Sequence, residues 1–518
     1  MDTRRASAVM ALGTLVSRVI GFLGMILLTY ATGSIGSGAN AFAVANYLPN
    51  MIYAIVAGGT VNAVLIPQVV RFSASGNERY INKITTLAIV LFAFITLVAA
   101  FLSPTLVKIT AGAGFDKQTT AVAISFAYWC VPQIFFYAIY SVLGEVLNAR
   151  KVYGPFTWTP AINNIVFISG ILLFILVFGA DPEGSRGAWP PFAIAILGGS
   201  ATLGIACQAL FLLIFWKSAG LRFKPDFNWR GIQITNLGKI FSWTFFMVVI
   251  TTIAGLVETN ISTLAGNHNA SVAVMQRAWL LFMLPHSLVT VSIMTPYFTK
   301  LSEKAVDKDM HGYRTSLSEV IRIVCLALVG GTAVLMVSAF PLARIFATQE
   351  HVVHSMALTI IAYSLGLVAF STLYILQKAF YALCDTRTPF FLAAICSGVI
   401  IIGALLCALL PAEYIAPGLA LTVSLSSVLQ CALAFWAIRV KLGGFSVREI
   451  GQKFARYTLS GLLASLVGIG VAVGLTGFFF QNPVNSIITV VMIALVMLPI
   501  YSYFLVITRC QEIRFFFK

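Results

Sequence analysis

The feature that most constrains the fold is a succession of fourteen long apolar segments that takes up most of the 518 residues. Each segment is near or above the roughly 20 residues that a helix needs to cross a hydrocarbon core of ~30 Å. Backbone polar groups inside lipid must be satisfied within the chain, so these segments are predicted to be membrane-spanning helices. The predicted spans are 6–32, 41–70, 84–110, 119–149, 157–179, 190–216, 237–265, 270–299, 318–345, 353–383, 388–410, 414–438, 456–479 and 485–508.

Composition supports this class of protein. The chain is 59% hydrophobic and 10% charged, whereas soluble domains carry about 25% charged residues. The first segment is too long for a cleaved signal peptide, and similar segments follow it. The net charge of +16 is carried by residues between the spans. It therefore indicates membrane topology and contact with anionic lipids, and no nucleic-acid partner is predicted.

The distribution of basic residues predicts the orientation. With the N-terminus placed inside, 25 of the 33 Lys and Arg residues fall at the inner ends of the spans and four fall in outer loops. Such an excess on the cytoplasmic side is the positive-inside rule. The predicted fold class is an all-α polytopic membrane protein of about fourteen helices with both termini in the cytoplasm.

Two pairs of segments suggest an internal repeat. Residues 137–150 (YAIYSVLGEVLNAR) resemble 374–387 (YILQKAFYALCDTR), and the pattern P-x-x-x-R-x-S at 67–73 resembles P-x-x-x-K-x-S at 296–302. Both pairs have an offset near 230 residues. We predict two six-helix lobes related by a parallel pseudo-two-fold axis, followed by two additional helices.

The predicted division of the chain follows from that repeat. Residues 1–217 form an N-terminal lobe with helices 1–6, and residues 237–440 form a C-terminal lobe with helices 7–12. The basic and aromatic segment 218–236 is predicted to be a cytoplasmic interfacial linker, with a plain solvated linker as the alternative. Residues 441–518 hold helices 13 and 14.

Catalytic and metal-binding motifs are absent from the sequence. It contains no Walker A loop, no H-E-x-x-H and no G-x-S-x-G, so we do not expect an enzyme. The five histidines lie mostly in or near predicted loops, and no metal or other cofactor is predicted. A transport function would then draw energy from the membrane potential or from a monovalent cation.

Arg18 is the first candidate binding residue. It lies near the middle of the first span, where a guanidinium costs about 2.5 kcal/mol or more and rarely faces lipid. The functional hypothesis is that Arg18 lines an aqueous cavity and binds an anion. The alternative is that it pairs with a buried carboxylate or reaches the headgroups.

Further charges lie inside predicted spans of the second half. Arg277 on helix 8 is a second candidate for anion binding, and together with Arg18 it would form a cationic patch suited to phosphate or pyrophosphate. Glu258 on helix 7 is a candidate ion site or ion-pair partner, for instance of Arg277. A satisfied structural ion pair is the alternative.

Helix 2 is unusually polar for a membrane span. Its pattern is typical of a helix that lines an aqueous cavity, and a closely packed interface of small residues is the alternative. Pro49 interrupts its hydrogen-bond ladder, and Gly58 and Gly59 are predicted to let it bend between states. The candidate substrate-binding residues on this helix are Asn46, Asn50, Tyr53 and Asn62.

Five short motifs stand in a distinctive order along the chain. They are Ser17-Arg18-Val19-Ile20-Gly21-Phe22, Leu48-Pro49-Asn50, Leu147-Asn148-Ala149-Arg150, Thr295-Pro296 and Asp385-Thr386-Arg387-Thr388-Pro389. Together they resemble the MurJ (MviN) family over nearly the whole chain. The resemblance implies the fold of the multidrug/oligosaccharidyl-lipid/polysaccharide (MOP) exporter superfamily, with helices 13 and 14 forming a groove for a lipid tail. It also implies the flipping of the peptidoglycan precursor lipid II across the cytoplasmic membrane.

The chain departs from the family pattern at several cavity positions. Gly24 and Met25 stand where the family often has an Arg-Asp pair, and Asn40 and Tyr53 replace a frequent acidic residue and a frequent arginine. Only Arg18 and Arg277 match the usual cavity arginines. The family's usual sodium-site carboxylate has no counterpart on helix 11.

The leading hypothesis is therefore an alternating-access flippase that carries lipid II from the inner to the outer leaflet of a bacterial cytoplasmic membrane. Its partners would be lipid II, membrane lipids and proteins of cell-wall synthesis or division. The alternatives are a flippase for another polyprenyl-linked glycan, a multidrug/cation antiporter of the same superfamily, and a division scaffold without transport activity.

Overall fold

The structure, a computed structural model, describes residues 3–57, 78–150, 152, 154–216, 223–228, 238–444, 447–508 and 510–513. Every regular element in these ranges is a helix. In chain order they are α1 (Thr3–Thr32), α2 (Ser37–Val56), α3 (Glu78–Ala111), α4 (Lys117–Cys130), α5 (Gln133–Ala149), α6 (Gly154–Phe178), α7 (Pro191–Phe211), α8 (Gly238–Thr263), α9 (Val272–Pro285), α10 (Ser292–Val306), α11 (Met310–Val337), α12 (Ala339–Phe346), α13 (Glu350–Ala382), α14 (Arg387–Cys407), α15 (Ala412–Leu442), α16 (Val447–Gly474), α17 (Thr476–Phe479) and α18 (Pro483–Ile507).

Within the described ranges, thirteen helical segments are long and apolar enough to cross a membrane. They coincide with thirteen of the fourteen predicted spans. The predicted second span, 41–70, is helical over its described part in α2, and residues 58–70 lie outside the described ranges. The all-helical membrane class is thus confirmed, and the count of fourteen, the orientation and the repeat stay predictions.

Some spans are interrupted helices. Val131 and Pro132 separate α4 from α5, and Pro132 provides no N–H for the helical ladder. A π-helical turn, His286–Val291, joins α9 to α10 within one span of 35 residues. Turns of this kind are rare and occur frequently at functional sites.

Three helix starts are capped by side chains. Asp116, Asp309 and Asn482 each accept a hydrogen bond from the backbone N–H three residues further on, at 2.7–2.8 Å. Such side chains satisfy N–H groups that a helix start leaves unpaired. The end of α15 is closed by Gly443 at φ 61°, a left-handed conformation that glycine adopts without steric cost.

Many hydroxyl groups inside the spans bond to their own helices. The side chains of Thr29, Thr86 and Thr359 donate to the carbonyl four residues earlier, at 2.7–2.9 Å. This arrangement satisfies a polar group in a region without water, so serine and threonine are tolerated there.

The chain divides into two compact units, residues 1–268 and 269–518. The first unit contains α1–α8, and its buried clusters include Phe42, Phe126 and Phe174 on one side and Phe92 with Ile134 on the other. Within this unit α8 packs against α2 and α3.

The second unit contains α9–α18 around one large buried cluster that includes Tyr313, Phe380 and Tyr457. Tyr313 is fully buried, and its hydroxyl donates to the carbonyl of Ala379 at 2.7 Å. In both units the outer helix faces expose large apolar side chains, for example Phe101, Leu176 and Leu495. Lipid is the solvent for these faces, so their exposure does not oppose folding.

Candidate substrate-binding site

Residues of small volume on α1 determine how closely this helix approaches α6. A Cβ atom built on Gly13 would lie 2.9 Å from the Trp158 ring, and one on Gly21 would lie 3.1 Å from Nδ2 of Asn164. Gly13, Ser17 and Gly21 follow one another at intervals of four residues, so they lie on the same helix face. The stripe of small residues therefore lets the two helices pack closely, as is common in membranes.

Asn164 fixes the residue next to Arg18. Its Nδ2 donates to the Ser17 carbonyl at 2.7 Å and to the Ser17 hydroxyl at 3.3 Å. Ser17 and Gly21 of the first motif therefore serve helix packing. Because consecutive residues point about 100° apart on a helix, Arg18 is directed away from this contact.

Arg18 is half-buried, and its Nε atom is enclosed without a hydrogen-bond partner among the described residues. Buried guanidinium nitrogens are normally satisfied, since each unpaired donor costs free energy. A planar group with five donors matches the oxygens of a phosphate. This part of α1 thus offers a hydrogen-bond donor to an anionic ligand.

Three candidate residues on α2 lie in different surroundings. Asn46 accepts a hydrogen bond from Nε2 of Gln133, the first residue of α5, at 3.0 Å. Asn50 is exposed. The Tyr53 ring lies against the rings of Phe92 and Tyr137, with centroids 6.1 Å and 5.6 Å apart.

The hinge positions are only partly described. Pro49 is buried inside α2, which continues through it as a helix. Gly58, Gly59 and Asn62 lie outside the described residues. The bending of this helix stays a prediction.

Glu258 lies on α8 in the first unit. The Tyr47 hydroxyl of α2 packs over Gly255, 3.1 Å from a Cβ built there, and the Glu258 charge acts on the Tyr47 phenol. The carboxylate is therefore near the polar side of α2.

Arg277 lies on α9 in the second unit, where it is 3% exposed and engages in interactions inside the chain. The two arginines thus differ, since Arg18 is half-buried and Arg277 is enclosed.

The second unit holds an apolar cavity of about 480 Å³ between α11, α13, α15 and α16. Its walls include Val329, Leu365, Phe435, Phe454 and Leu462. α16 corresponds to predicted helix 13, so one of the two helices expected to form a lipid-tail groove lines this cavity. Such walls suit an alkyl or polyprenyl chain.

Two residues that contact the candidate site, Gln133 and Asn164, were not predicted from the sequence. Both are amides within apolar spans, and a buried amide is a signal that can be found in a sequence. Their partners on α2 and α1 could not be identified, because they lie 87 and 147 residues away. In the described ranges, no group of three His, Cys, Asp or Glu side chains is placed to hold a metal ion.

Two solved structures share the fold of this chain. The fold is similar to a structure titled "Lipid II flippase MurJ, inward closed conformation", with a TM-score of 0.74, 20% identity and coverage of 96% of this chain and 98% of that one. It is also similar to an inward-facing multidrug resistance MATE family transporter of the MOP superfamily, with a TM-score of 0.65, 14% identity and coverage of 82% and 94%. At these identities the likeness concerns the fold, which this chain shares with both proteins.

The sequence comparisons are more specific. The profile of the family "Lipid II flippase MurJ" matches residues 34–495, so the chain belongs to the MurJ family. A probable lipid II flippase MurJ of Haemophilus influenzae is 25% identical over 501 residues, covering 91% of this chain and 92% of the relative. The lipid II flippase MurJ of Burkholderia cenocepacia is 25% identical over 456 residues, covering 85% and 84%.

Proposed function

We propose that this protein translocates lipid II from the inner to the outer leaflet of a bacterial cytoplasmic membrane. Membership of the MurJ family supports the substrate. The structural observation that supports anion binding concerns Arg18. Its guanidinium lies inside a membrane span, and its buried Nε has no hydrogen-bond partner among the described residues. A pyrophosphate provides the acceptor oxygens that this donor requires.

The proposed site combines Arg18 with polar side chains of the second predicted span, 41–70. The pyrophosphate binds Arg18, and Asn46, Asn50, Tyr53 and Asn62 contact the sugar or peptide of the headgroup. The role of Arg277 as a second anion-binding residue stays a prediction. The polyprenyl tail stays in lipid or in an apolar groove beside helices 13 and 14, and the cavity against α16 supports that arrangement.

Alternating access requires contacts at the outer side that can break. Asn260 on α8 donates to the carbonyl of Ile109 at 3.0 Å, and Thr263 donates to that of Ala111 at 2.5 Å. The Asn267 side chain donates to the Thr119 hydroxyl at 2.9 Å. We propose that these bonds, which join α8 and the loop after it to the outer ends of α3 and α4, break when the protein opens outward.

The energy source is proposed to be the membrane potential or a monovalent cation gradient. A charge that crosses the whole field gains about 2.3 kcal/mol per 100 mV. A cationic cavity is attracted towards the negative interior, so the potential would favour return of the empty site.

Replacement of the native flippase in a bacterial depletion strain tests the function. We expect this chain to restore growth and to prevent the accumulation of lipid II at the inner leaflet. Arg18→Ala should fail to do so, and Arg448→Ala, which removes an exposed arginine at the start of α16, should behave as wild type. Continued accumulation of lipid II with a well-expressed wild-type protein would exclude the proposed substrate.

A further inference from the structure

The second unit contains a histidine in the interior of a membrane span. His286 is residue 15 of the 35 in the span Val272–Val306, and it is 3% exposed. The other four histidines lie in a loop or within five residues of a helix start. An ionisable side chain inside a membrane is costly and by default suggests a function.

The surroundings of His286 suit both protonation states of an imidazole. Its Nδ1 lies 2.8 Å from the hydroxyl oxygen of Ser371 on α13, which is fully buried. A hydroxyl accepts from a protonated ring nitrogen and donates to an unprotonated one, so this hydrogen bond survives a change of charge.

Two aromatic rings lie beside the imidazole. The ring centroids of Phe370 and Tyr374 are 4.9 Å and 5.4 Å from that of His286, with interplanar angles of 68° and 89°. A cation within about 6 Å of a ring centroid is attracted by the ring quadrupole. Both centroids are within that distance of the imidazole, and a ring that presents its face to an imidazolium offsets part of the cost of the charge in a region of low dielectric constant.

The backbone at this position is also unusual. His286 begins the π-helical turn, and Thr290 in the same turn is fully buried with no hydrogen-bond partner for its hydroxyl among the described residues. Buried polar atoms without a protein partner are normally satisfied by ordered water. The turn thus holds a second buried polar side chain beside His286.

The helices packed against the turn carry eighteen ionisable residues besides His286. α13 carries Tyr374 and then Lys378, whose Nζ lies 5.5 Å from the centroid of the Tyr374 ring. The remaining ionisable residues on helices packed against the turn are Arg277 on α9; Tyr297, Lys300, Glu303 and Lys304 on α10; His311, Tyr313, Arg314, Glu319, Arg322 and Cys325 on α11; and Glu350, His351, His354, Tyr363 and Tyr381 on α13.

None of the three carboxylates in that set lies at the level of the turn. Pro285 lies against Gly331 of α11, and Glu319 is about 18 Å from that level at 1.5 Å per residue. Glu303 and Glu350 lie near helix ends remote from His286 and Ser371 respectively. The Ser371 hydroxyl and the two aromatic rings lie directly beside the imidazole.

We propose that His286, with Ser371, Phe370 and Tyr374, is an intramembrane proton-binding site of the second unit. The site binds a proton as its ligand, with no other chemical change. Uptake and release there alter the charge at the junction of α9 and α10 during the transport cycle. Coupling to transport rests on the proposed function, whereas proton binding itself does not.

Proton binding is tested directly by NMR on the full chain in lipid nanodiscs with ¹³C-labelled histidine. The signal absent from His286→Gln should titrate between about pH 5 and pH 8, where histidine changes charge. Ser371→Ala should move that midpoint and leave the other four unchanged, so it identifies the signal even if His286→Gln fails to fold. A His286 signal that keeps one shift across this range would overturn the proposal.

Coupling is tested in proteoliposomes at zero membrane potential by comparing lipid II translocation at pH 6 and pH 8. The wild-type rates should differ several-fold, and the ratio should approach one in His286→Gln. His354→Gln, a change at an exposed histidine near the start of α13, should keep the wild-type ratio. An unchanged ratio in His286→Gln would refute coupling. Absence of any wild-type translocation would instead contradict the proposed function and leave the NMR result standing.

Discussion

At the scale of single residues, the role of Arg18 depends on what satisfies its donors. If it were a structural ion, its removal would leave a buried carboxylate unpaired and lower the free energy of unfolding by about 3–5 kcal/mol. If it binds pyrophosphate, Arg18→Ala should keep a nearly normal melting temperature and lose lipid II translocation. Arg18→Lys should recover only part of the activity, because a point charge lacks the bidentate fork.

Thermal stability measured beside translocation separates the two roles. A destabilised Arg18→Ala that is rescued by Glu258→Gln would establish a structural pair. Asn164→Ala removes the contact that fixes Ser17 without removing a charge, so it is a suitable control for a local change in α1.

A second prediction concerns Asp385, which lies between two spans. Its side chain accepts hydrogen bonds from Lys441 at 2.5 Å and from the Thr388 hydroxyl at 2.7 Å. Burial raises the pKa of the Asp385 carboxyl, but the bonds from Lys441 and Thr388 and the Lys441 charge outweigh it, so the pKa lies below its usual value.

A depressed carboxyl pKa stabilises the fold above the unfolded-state pKa, about 3.9 for Asp. That contribution is lost as the pH falls through the folded-state pKa. We expect Asp385→Asn to lower the stability by about 1 kcal/mol at pH 7, since the pair is partly exposed. The difference from wild type in melting temperature should shrink below about pH 4. A difference that is constant from pH 7 to pH 3 would contradict this assignment.

At the scale of elements, close helix pairs depend on small residues. Gly366 on α13 faces Ser424 on α15, and a Cβ built on Gly366 would lie 2.7 Å from the Ser424 Cα. The Ser424 hydroxyl donates to the carbonyl of Ala362 at 2.6 Å, which also requires close approach. This pair therefore has no room for a larger side chain.

Gly366→Leu should lower the free energy of unfolding by about 1–3 kcal/mol, the usual cost of overpacking. The matched control is Gly470→Leu on α16, where a Cβ meets nothing within 4 Å and the position is exposed. Melting temperatures in the same detergent compare the two. Equal melting temperatures for both variants would show that α13 and α15 separate without cost.

At the scale of the whole molecule, the testable property is the orientation. A membrane-impermeant thiol reagent should label a cysteine placed at Glu413 in intact cells. It should not label one at Ser302 or the exposed native Cys384, which lies in the loop between α13 and α14. Both should react after permeabilisation. Labelling of Cys384 in intact cells would invert the predicted arrangement of the second half.

The sequence alone was sufficient for the membrane class and for the location of the thirteen described spans. Their length and apolarity are local properties, and lipid forces each such segment to satisfy its own backbone as a helix. The first motif identified Arg18 in the same way, because a charge in an apolar span is conspicuous without any knowledge of its neighbours.

The tertiary structure alone decided what surrounds those residues. Asn164 and Ser17 are 147 residues apart, and His286 and Ser371 are 85 apart, so no local pattern joins them. The sequence pattern puts most histidines in or near predicted loops, whereas the structure places His286 in a π-helical turn inside a span. Helix packing in a membrane depends on shape between distant segments rather than on hydrophobicity. For that reason the partners of each buried polar group emerged only from the folded chain.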